Sequence, residues 1–492
     1  MPALRPHALP LAALVLVAIA VLGMYFLNAP HAVIEFDSWN SVGTPTYIGT
    51  AQAMLQGHVF STGRLPGYPL VLAALGGADG VYGPVLALQS LLFVAVVCAT
   101  YLIAFAMFEI RWIAFLVALL LATDVYVAAY SKEILSESLA LALVTALLAA
   151  LVILARRPTP RIVWTAALLA VLLALTRSEW LFFPLGAAIY FAIWAQRRPL
   201  PRPVLLHGLA ALAACYAAVG LYVAGNAAFN GYAGTSDINN ISLLGKVMQY
   251  DMQLEAPARY HDEALLVDRY VNVTHLNVWH IVTENPSFAS DHYALSGAFG
   301  RAVILNDPVK FVGLSTRIAL TENADVDAPL LHIVRDGPFN LPLRALGRYT
   351  AARYAANWLL PALALVWVLF PLIHRRPHAL ESIGPVALVA LYGTAIIAFG
   401  GFDEYGRYHT VFIPATVIVI WGTLLLNVEI AARAKRWLGP ATAGLVASEL
   451  LAIVVLAVFP SPLLAAALCL LILVGQGGLV LASLRPANRV PR

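Results

Sequence analysis

The chain has 492 residues, of which 61% are hydrophobic and 11% charged, and a formal net charge of +4. Soluble domains carry about 25% charged residues, so this composition excludes a water-facing globule and makes the bilayer the solvent for most side chains. Three cysteines, Cys98, Cys215 and Cys469, lie far apart inside apolar runs, which excludes a disulfide framework and a CxxC metal or redox motif.

The N-terminal MPALRPH precedes an apolar run, Ala8–Leu27, that is long enough to cross a bilayer and ends without a small-x-small cleavage site. It reads as a retained first helix. Further spans are expected at Gly83–Phe108, Trp112–Tyr130, Ile134–Ala155, Ile162–Thr176, Trp180–Ala195, Val204–Phe229, Tyr354–Ile373, Ile383–Gly400, Thr410–Val428, Ala441–Phe459 and Leu463–Leu484. The fold class is therefore an all-α polytopic membrane protein of about twelve transmembrane helices. Between the spans lie two long segments. The first, 28–82, holds a helical stretch near Pro45–Gln56 and then HVFSTGRLPGYPLVLAAL, too short to span and expected at the interface. The second, 229–353, is polar and is expected to form a helical cap. Its histidines, His261, His275, His280, His292 and His332, show no HExxH-like zinc spacing and read as surface residues. Three units follow: an N-terminal membrane module (1–228), the cap (229–353) and a C-terminal membrane module (354–492).

Basic residues set the orientation. Arg156, Arg157, Arg161, Arg197, Arg198, Arg202, Arg375, Arg376, Arg433, Lys435 and Arg436 fall in one alternating set of loops, which places that set and both termini in the cytoplasm. The opposite short loops hold only Arg64, Lys132, Arg177 and Arg407. Acids show the reverse bias: Glu35, Asp37, Asp79, Asp124, Glu133, Glu137, Glu179, Asp403 and Glu404 lie outward. Acids contribute little to topology, so a functional site on the outer face is the simplest cause. One carboxylate, Glu449, falls inside the eleventh span; an interhelical hydrogen bond and a functional role stand equal there.

In the first outer loop, Glu35 and Asp37 sit just above the membrane wall, where a carboxylate gains proton affinity and suits general-base work on a hydroxyl; solvated loop acids are the equal alternative. Arg64, Arg177 and Arg407 run against the charge rule. A guanidinium fork fits a phosphate at headgroup level; salt bridges to Glu179 or to Asp403 and Glu404 are the plain alternative.

Several segments together resemble the GT-C glycosyltransferases, most closely the protein O-mannosyltransferase and aminoarabinose-transferase-like branch. They are TPTYIGTAQAMLQGHVFSTGRLPGYPLVLAAL, ILSESLALAL, LTRSEWLFFP, DPVKFVGLSTR and EYGRYHTVFIPA, in family order over most of Thr44–Pro414. The resemblance implies transfer of a sugar from a polyprenyl-phosphate donor to a lipid, glycan or protein acceptor at the outer face of the plasma membrane. It implies an acid in the first loop as base, Arg64, Arg177 and Arg407 on the donor phosphate, and Tyr47, Tyr68, Glu137, Glu179 and Tyr408 as candidate substrate or metal contacts. Membrane lipids are partners and no nucleic acid is expected. Some members use a divalent metal, and the spacing here leaves the metal and any other cofactor open. The family often has an aspartate four residues before the loop tyrosine; here that position is Gly43. Asp37 is the first candidate for the displaced acid and Glu35 the second, with loss of activity the third reading. A multispan transporter or flippase and a polysaccharide polymerase or ligase are the rival functions.

Overall fold

The computed structural model describes residues 6–28, 46–197, 200–275, 277–321, 337–373, 382–402, 405–433, 438–458 and 462–483. All elements among them are helical, without a β-strand. The N-terminal part contains α1 (Ala8–Asn28), α2 (Tyr47–Leu55), α3 (Gly67–Ala74), α4 (Gly83–Phe108), α5 (Arg111–Ala122), α6 (Val125–Ala129), α7 (Glu137–Arg156), α8 (Pro160–Ala174), α9 (Phe183–Arg197) and α10 (Arg202–Asn230). The middle part contains α11 (Ile238–Gln249), α12 (His261–Asp268), α13 (Val278–Glu284), α14 (Pro286–Asn306) and α15 (Pro308–Thr321). The last part contains α16 (Asn340–Tyr354), α17 (Leu360–Ile373), α18 (Ile383–Ala395), α19 (Tyr405–Thr410), α20 (Ile413–Val417), α21 (Thr423–Arg433), α22 (Leu438–Val458) and α23 (Pro462–Ser483).

Among the described residues, eight helices are long and apolar enough to cross a membrane, α1, α4, α7 and α10 among them. The expected span Trp112–Tyr130 is instead a bent pair, with Arg111–Ala122 and Val125–Lys132 meeting at 51°. The bend has a local cause. Asp124 leaves helical geometry and caps α6, its Oδ1 accepting from the Val127 N–H at 3.1 Å. Three further expected spans carry shorter apolar stretches, Pro160–Ala174 of α8, Thr442–Val455 of α22 and Ala467–Gln476 of α23, the last two inside helices of 21 and 22 residues. In the first long segment, Thr46 caps α2 by accepting from the Gly49 N–H at 2.8 Å, and Gly67 opens α3 within the run expected to lie at the interface or dip into it.

The buried core is one large apolar cluster. It joins α1, α4, α5 and α7 to α17, α18 and the α20–α21 stretch through residues such as Leu14, Val97, Val117, Val144, Leu363, Val386 and Ile418. A second cluster lies within residues 241–303, built on Ile241, Leu244, Val247, Met252, Val267, Ile281, Phe288, Phe299 and Val303. Deep in the last helices Glu449 is wholly buried. Its Oε2 accepts from Asn427 Nδ2 at 3.4 Å, and Asn427 donates to Gln476 Oε1 at 2.8 Å, so an interhelical polar cluster occupies this position.

Candidate functional site

Four of the sequence motifs meet at the N-terminal end of α7. The approach begins with Gln89, wholly buried on α4. Its Nε2 donates to the carbonyls of Tyr130, Ser131 and Glu133 at 3.2, 3.2 and 2.7 Å. The Ser138 hydroxyl donates to Tyr130 O as well, at 2.9 Å. These bonds satisfy backbone that would otherwise be buried unmet, and they fix the chain entering α7 so that Glu137, its first residue, points inward.

Glu137 is fully buried and takes two guanidinium groups on one oxygen. Arg177 Nη1 donates to its Oε1 at 2.7 Å, and Arg407 Nε donates to the same atom. Its Oε2 is buried without a hydrogen-bond partner among the described residues. Arg177 also donates from Nε to Glu179 Oε1 and stands 5.3 Å over the Tyr408 ring. Burial works against the charge of Arg177, but Glu179 and then Glu137 outweigh it and hold the guanidinium above the usual arginine range.

The first-loop motif borders this group. The Tyr47 hydroxyl lies 3.0 Å from Ser136 Oγ, one residue before Glu137. Arg64 sits 4.6 Å over the Tyr47 ring, and the edge of Tyr68 meets Tyr47 at 5.3 Å. The Tyr68 hydroxyl donates to Gln89 Oε1 at 2.8 Å, so it braces the scaffold. RLPGYP and LTRSEW touch directly. The Gly67 N–H donates to Leu175 O at 2.9 Å, and a Cβ on Gly67 would collide with Thr176 Oγ1, which is why glycine stands there. On the far side Tyr392 donates to Glu179 O at 2.7 Å.

Arg64, Arg177, Arg407, Tyr47, Tyr68, Glu137, Glu179 and Tyr408 thus belong to one contiguous group. Asp37 and Glu35, as well as Asp403 and Glu404, lie outside the described residues. Among the described residues no group of three or more His, Cys, Asp or Glu is placed to hold a metal ion.

A second buried charged group escaped the sequence reading. Arg353 pairs with Asp124 Oδ2 and also donates to Leu120 O. Tyr354 donates to the same Asp124 oxygen at 2.9 Å, and the His409 ring lies against Tyr354 with centroids 5.5 Å apart. His409 is two residues beyond Arg407, so the two charged groups share α19. The signal available was Arg353 itself, at the edge of the long segment that the charge rule does not govern.

No family model and no curated protein matches the sequence. Among solved structures, the chain is similar to the archaeal oligosaccharyltransferase AglB from Archaeoglobus fulgidus in complex with an inhibitory peptide and a dolichol-phosphate, at 14% identity and a TM-score of 0.43. It is also similar to the Archaeoglobus fulgidus oligosaccharyltransferase in the apo form (15%, TM-score 0.40) and tethered with an acceptor peptide (15%, TM-score 0.43). These likenesses cover 94%, 94% and 95% of this chain and 56% of each solved chain, so this chain spans little more than half their length.

Proposed function

We propose that this chain is an integral membrane glycosyltransferase of GT-C type that moves a sugar from a polyprenyl-phosphate donor to an acceptor on the outer face of the membrane. The observation that carries this reading is the meeting of RLPGYP, ILSES, LTRSEW and EYGRYH, distant in sequence, around Glu137. Among the described residues the group brings three guanidinium ions and two carboxylates together beside a low-dielectric wall. Such a site favours an anion. Arg177 and Arg407 are tethered through Glu137, which orders their guanidinium planes side by side.

In the proposed reaction an acceptor hydroxyl attacks the anomeric carbon, and the bond from that carbon to the phosphate oxygen breaks. Asp37, or Glu35 in its place, takes the hydroxyl proton. Arg64, Arg177 and Arg407 stabilise the charge left on the polyprenyl phosphate. Glu137 and Glu179 orient the guanidinium groups, and Tyr47 and Tyr408 provide the aromatic faces beside them.

The same reading takes about twelve crossings, counting the bent pair and the three shorter apolar stretches, with both termini cytoplasmic in a plasma membrane. Residues 229–353 form the outer cap between the membrane modules 1–228 and 354–492. Its separate buried cluster supports the division. The transporter or flippase reading rests on the buried Glu449–Asn427–Gln476 cluster, since transport sites place ionisable groups within the membrane.

The test measures sugar transfer by purified protein from polyprenyl-phosphate sugars drawn from the native envelope. Asp37→Asn is expected to abolish transfer while leaving the elution profile and helix content unchanged, and Glu449→Gln is expected to spare transfer. Transfer retained in Asp37→Asn and in a Glu35→Gln, Asp37→Asn double variant would reject the base assignment. Substrate movement lost in Glu449→Gln, with no transfer in the wild type, would favour the transporter.

A further inference from the structure

We propose that His292 and Asp237 form a pH-sensitive latch that positions the two arginine-bearing loops of the candidate site, which rests on the reading of that site given above. Asp237 stands at the N-cap of α11, where an aspartate ordinarily accepts from the helix's own N–H groups. Here it makes no such bond. The side chain is buried, its Oδ2 lies 3.3 Å from His292 Nδ1, and its Oδ1 has no hydrogen-bond partner among the described residues. His292 Nε2 lies 3.1 Å from the carbonyl oxygen of Asn230. The imidazole thus faces an acceptor at each nitrogen, and a neutral ring has a single N–H to give. Both contacts form only while the pair holds two protons, one for each contact.

The latch holds backbone that needs holding. Asp291, His292 and Tyr293 have φ of 50°, 54° and 59°, three consecutive left-handed residues without a glycine. Such residues ordinarily occur singly and persist where their surroundings fix them. Asn240 Nδ2 donates to His292 O at 3.0 Å, and the Tyr232 ring lies 5.0 Å from the imidazole. From Asp237 the contacts run to the site. The Asp237 N–H donates to Thr62 O at 2.9 Å, and Ser236 Oγ donates to Gly63 O at 3.2 Å, beside Arg64. Ser178 Oγ, beside Arg177, donates to Asn239 Oδ1 at 3.1 Å. The other titratable groups around the ring are Tyr232 from the turn after α10, Asp291 and Tyr293 on its own stretch, and Arg301, which acts on Tyr232. Burial first and Asp237 second push both tyrosine hydroxyls above their usual range. Imidazole is the side chain that ordinarily changes charge between about pH 5 and 8, and this one, 29% exposed, can exchange its proton with solvent. The latch is complete at the acidic end of that window and opens as pH rises.

The test uses full-length protein in detergent. Amide hydrogen exchange, corrected for the intrinsic rate, is followed at about pH 6 and about pH 8. In wild type, residues 60–64, 236–240 and 288–296 are expected to exchange about fivefold or more faster at the higher pH. Asp237→Asn is expected to keep them protected at both, because its Nδ2 donates to the neutral ring's Nδ1 while Nε2–H still donates to Asn230 O. His292→Asn, whose new side chain tolerates left-handed geometry, is expected to exchange fast at both. The second measurement is sugar transfer. The KM for the polyprenyl-phosphate sugar should rise with pH in wild type relative to Asp237→Asn, with kcat changed less. Wild-type exchange that ignores pH, or an Asp237→Asn protein as pH-sensitive as wild type, overturns the latch. Exchange that responds while KM does not overturns its role at the site. Transfer absent from every protein rejects the reading of the site, and exchange still decides the latch.

Discussion

Glu137 holds both Arg177 and Arg407 through a single oxygen at zero exposure, so its removal leaves two guanidinium groups facing each other in a dry site. Breaking a buried ion pair from one side costs about 3–5 kcal/mol. Glu137→Ala should therefore lower the unfolding midpoint of the detergent-solubilised protein sharply, whereas Glu179→Ala, at the more open side of Arg177, should lower it much less. Gly67→Ala places a methyl group against Thr176 and should destabilise by about 1–3 kcal/mol, with only partial rescue by Thr176→Ala, because Leu175 O and Thr176 Cα also stand 3.0 Å from that methyl. These residues also show what a sequence can disclose. The Arg177–Glu179 pair spans two positions and was foreseeable from spacing. The Arg407–Glu137 and Arg353–Asp124 pairs span 270 and 229 positions, and nothing local marks them. Glu137 was expected to touch substrate or metal; the structure shows it as the shared partner of two arginines. Arg407, read as a phosphate ligand with a salt bridge to Asp403 or Glu404 as the plain alternative, pairs among the described residues with Glu137.

At the scale of elements, the middle helices dock on the C-terminal end of the α18 span. Lys246 of α11 is buried and donates to Ile397 O at 3.2 Å and to Gly401 O. A lysine among terminal helix carbonyls meets both their hydrogen-bonding need and the helix dipole. Gly245 lets Phe402 lie flat against α11, where a Cβ would collide with its ring. Lys246→Met should leave these carbonyls unmet and open the 400–406 stretch to protease while helix content stays constant. Tyr250 adds a pH-dependent contact, donating to Ala398 O at 2.9 Å, with Ser315 Oγ 3.1 Å away. Burial pushes its hydroxyl from 10.0 up to about 12. A raised acid is favoured neutral in the folded state, so its stabilisation is complete below pH 10 and is lost as pH rises through about 12. Stability measured across that window should fall less in Tyr250→Phe than in wild type. The helices themselves were readable: Gly83–Phe108 and Ile383–Gly400 begin and end where expected, because apolar runs bounded by glycine and charge leave little choice. The bend at Asp124 was not: Asp124 was counted among the outward acids, and nothing local shows that it caps α6 and pairs with Arg353.

The outer faces of the long described helices are apolar. They carry exposed Leu16 and Leu27 on α1, Leu209 and Leu221 on α10, and Leu471 and Val474 on α23. In water such surfaces would aggregate; in a bilayer they meet acyl chains. The proposed orientation gives a direct topological prediction. In intact cells, an impermeant maleimide should label His58→Cys and Asp262→Cys, and should label Arg157→Cys only after the membrane is opened. Native mass spectrometry of the detergent-solubilised protein with added polyprenyl phosphate addresses the arginine site most directly. Replacing Glu137, Arg177 and Arg407 together by glutamine removes the fully buried charge with both its partners and leaves Glu179, at 19% exposure, without Arg177. The wild type should carry one polyprenyl phosphate per chain, and the triple variant should lose it by about tenfold or more. Equal occupancy in the two proteins would contradict a phosphate site built from these arginines.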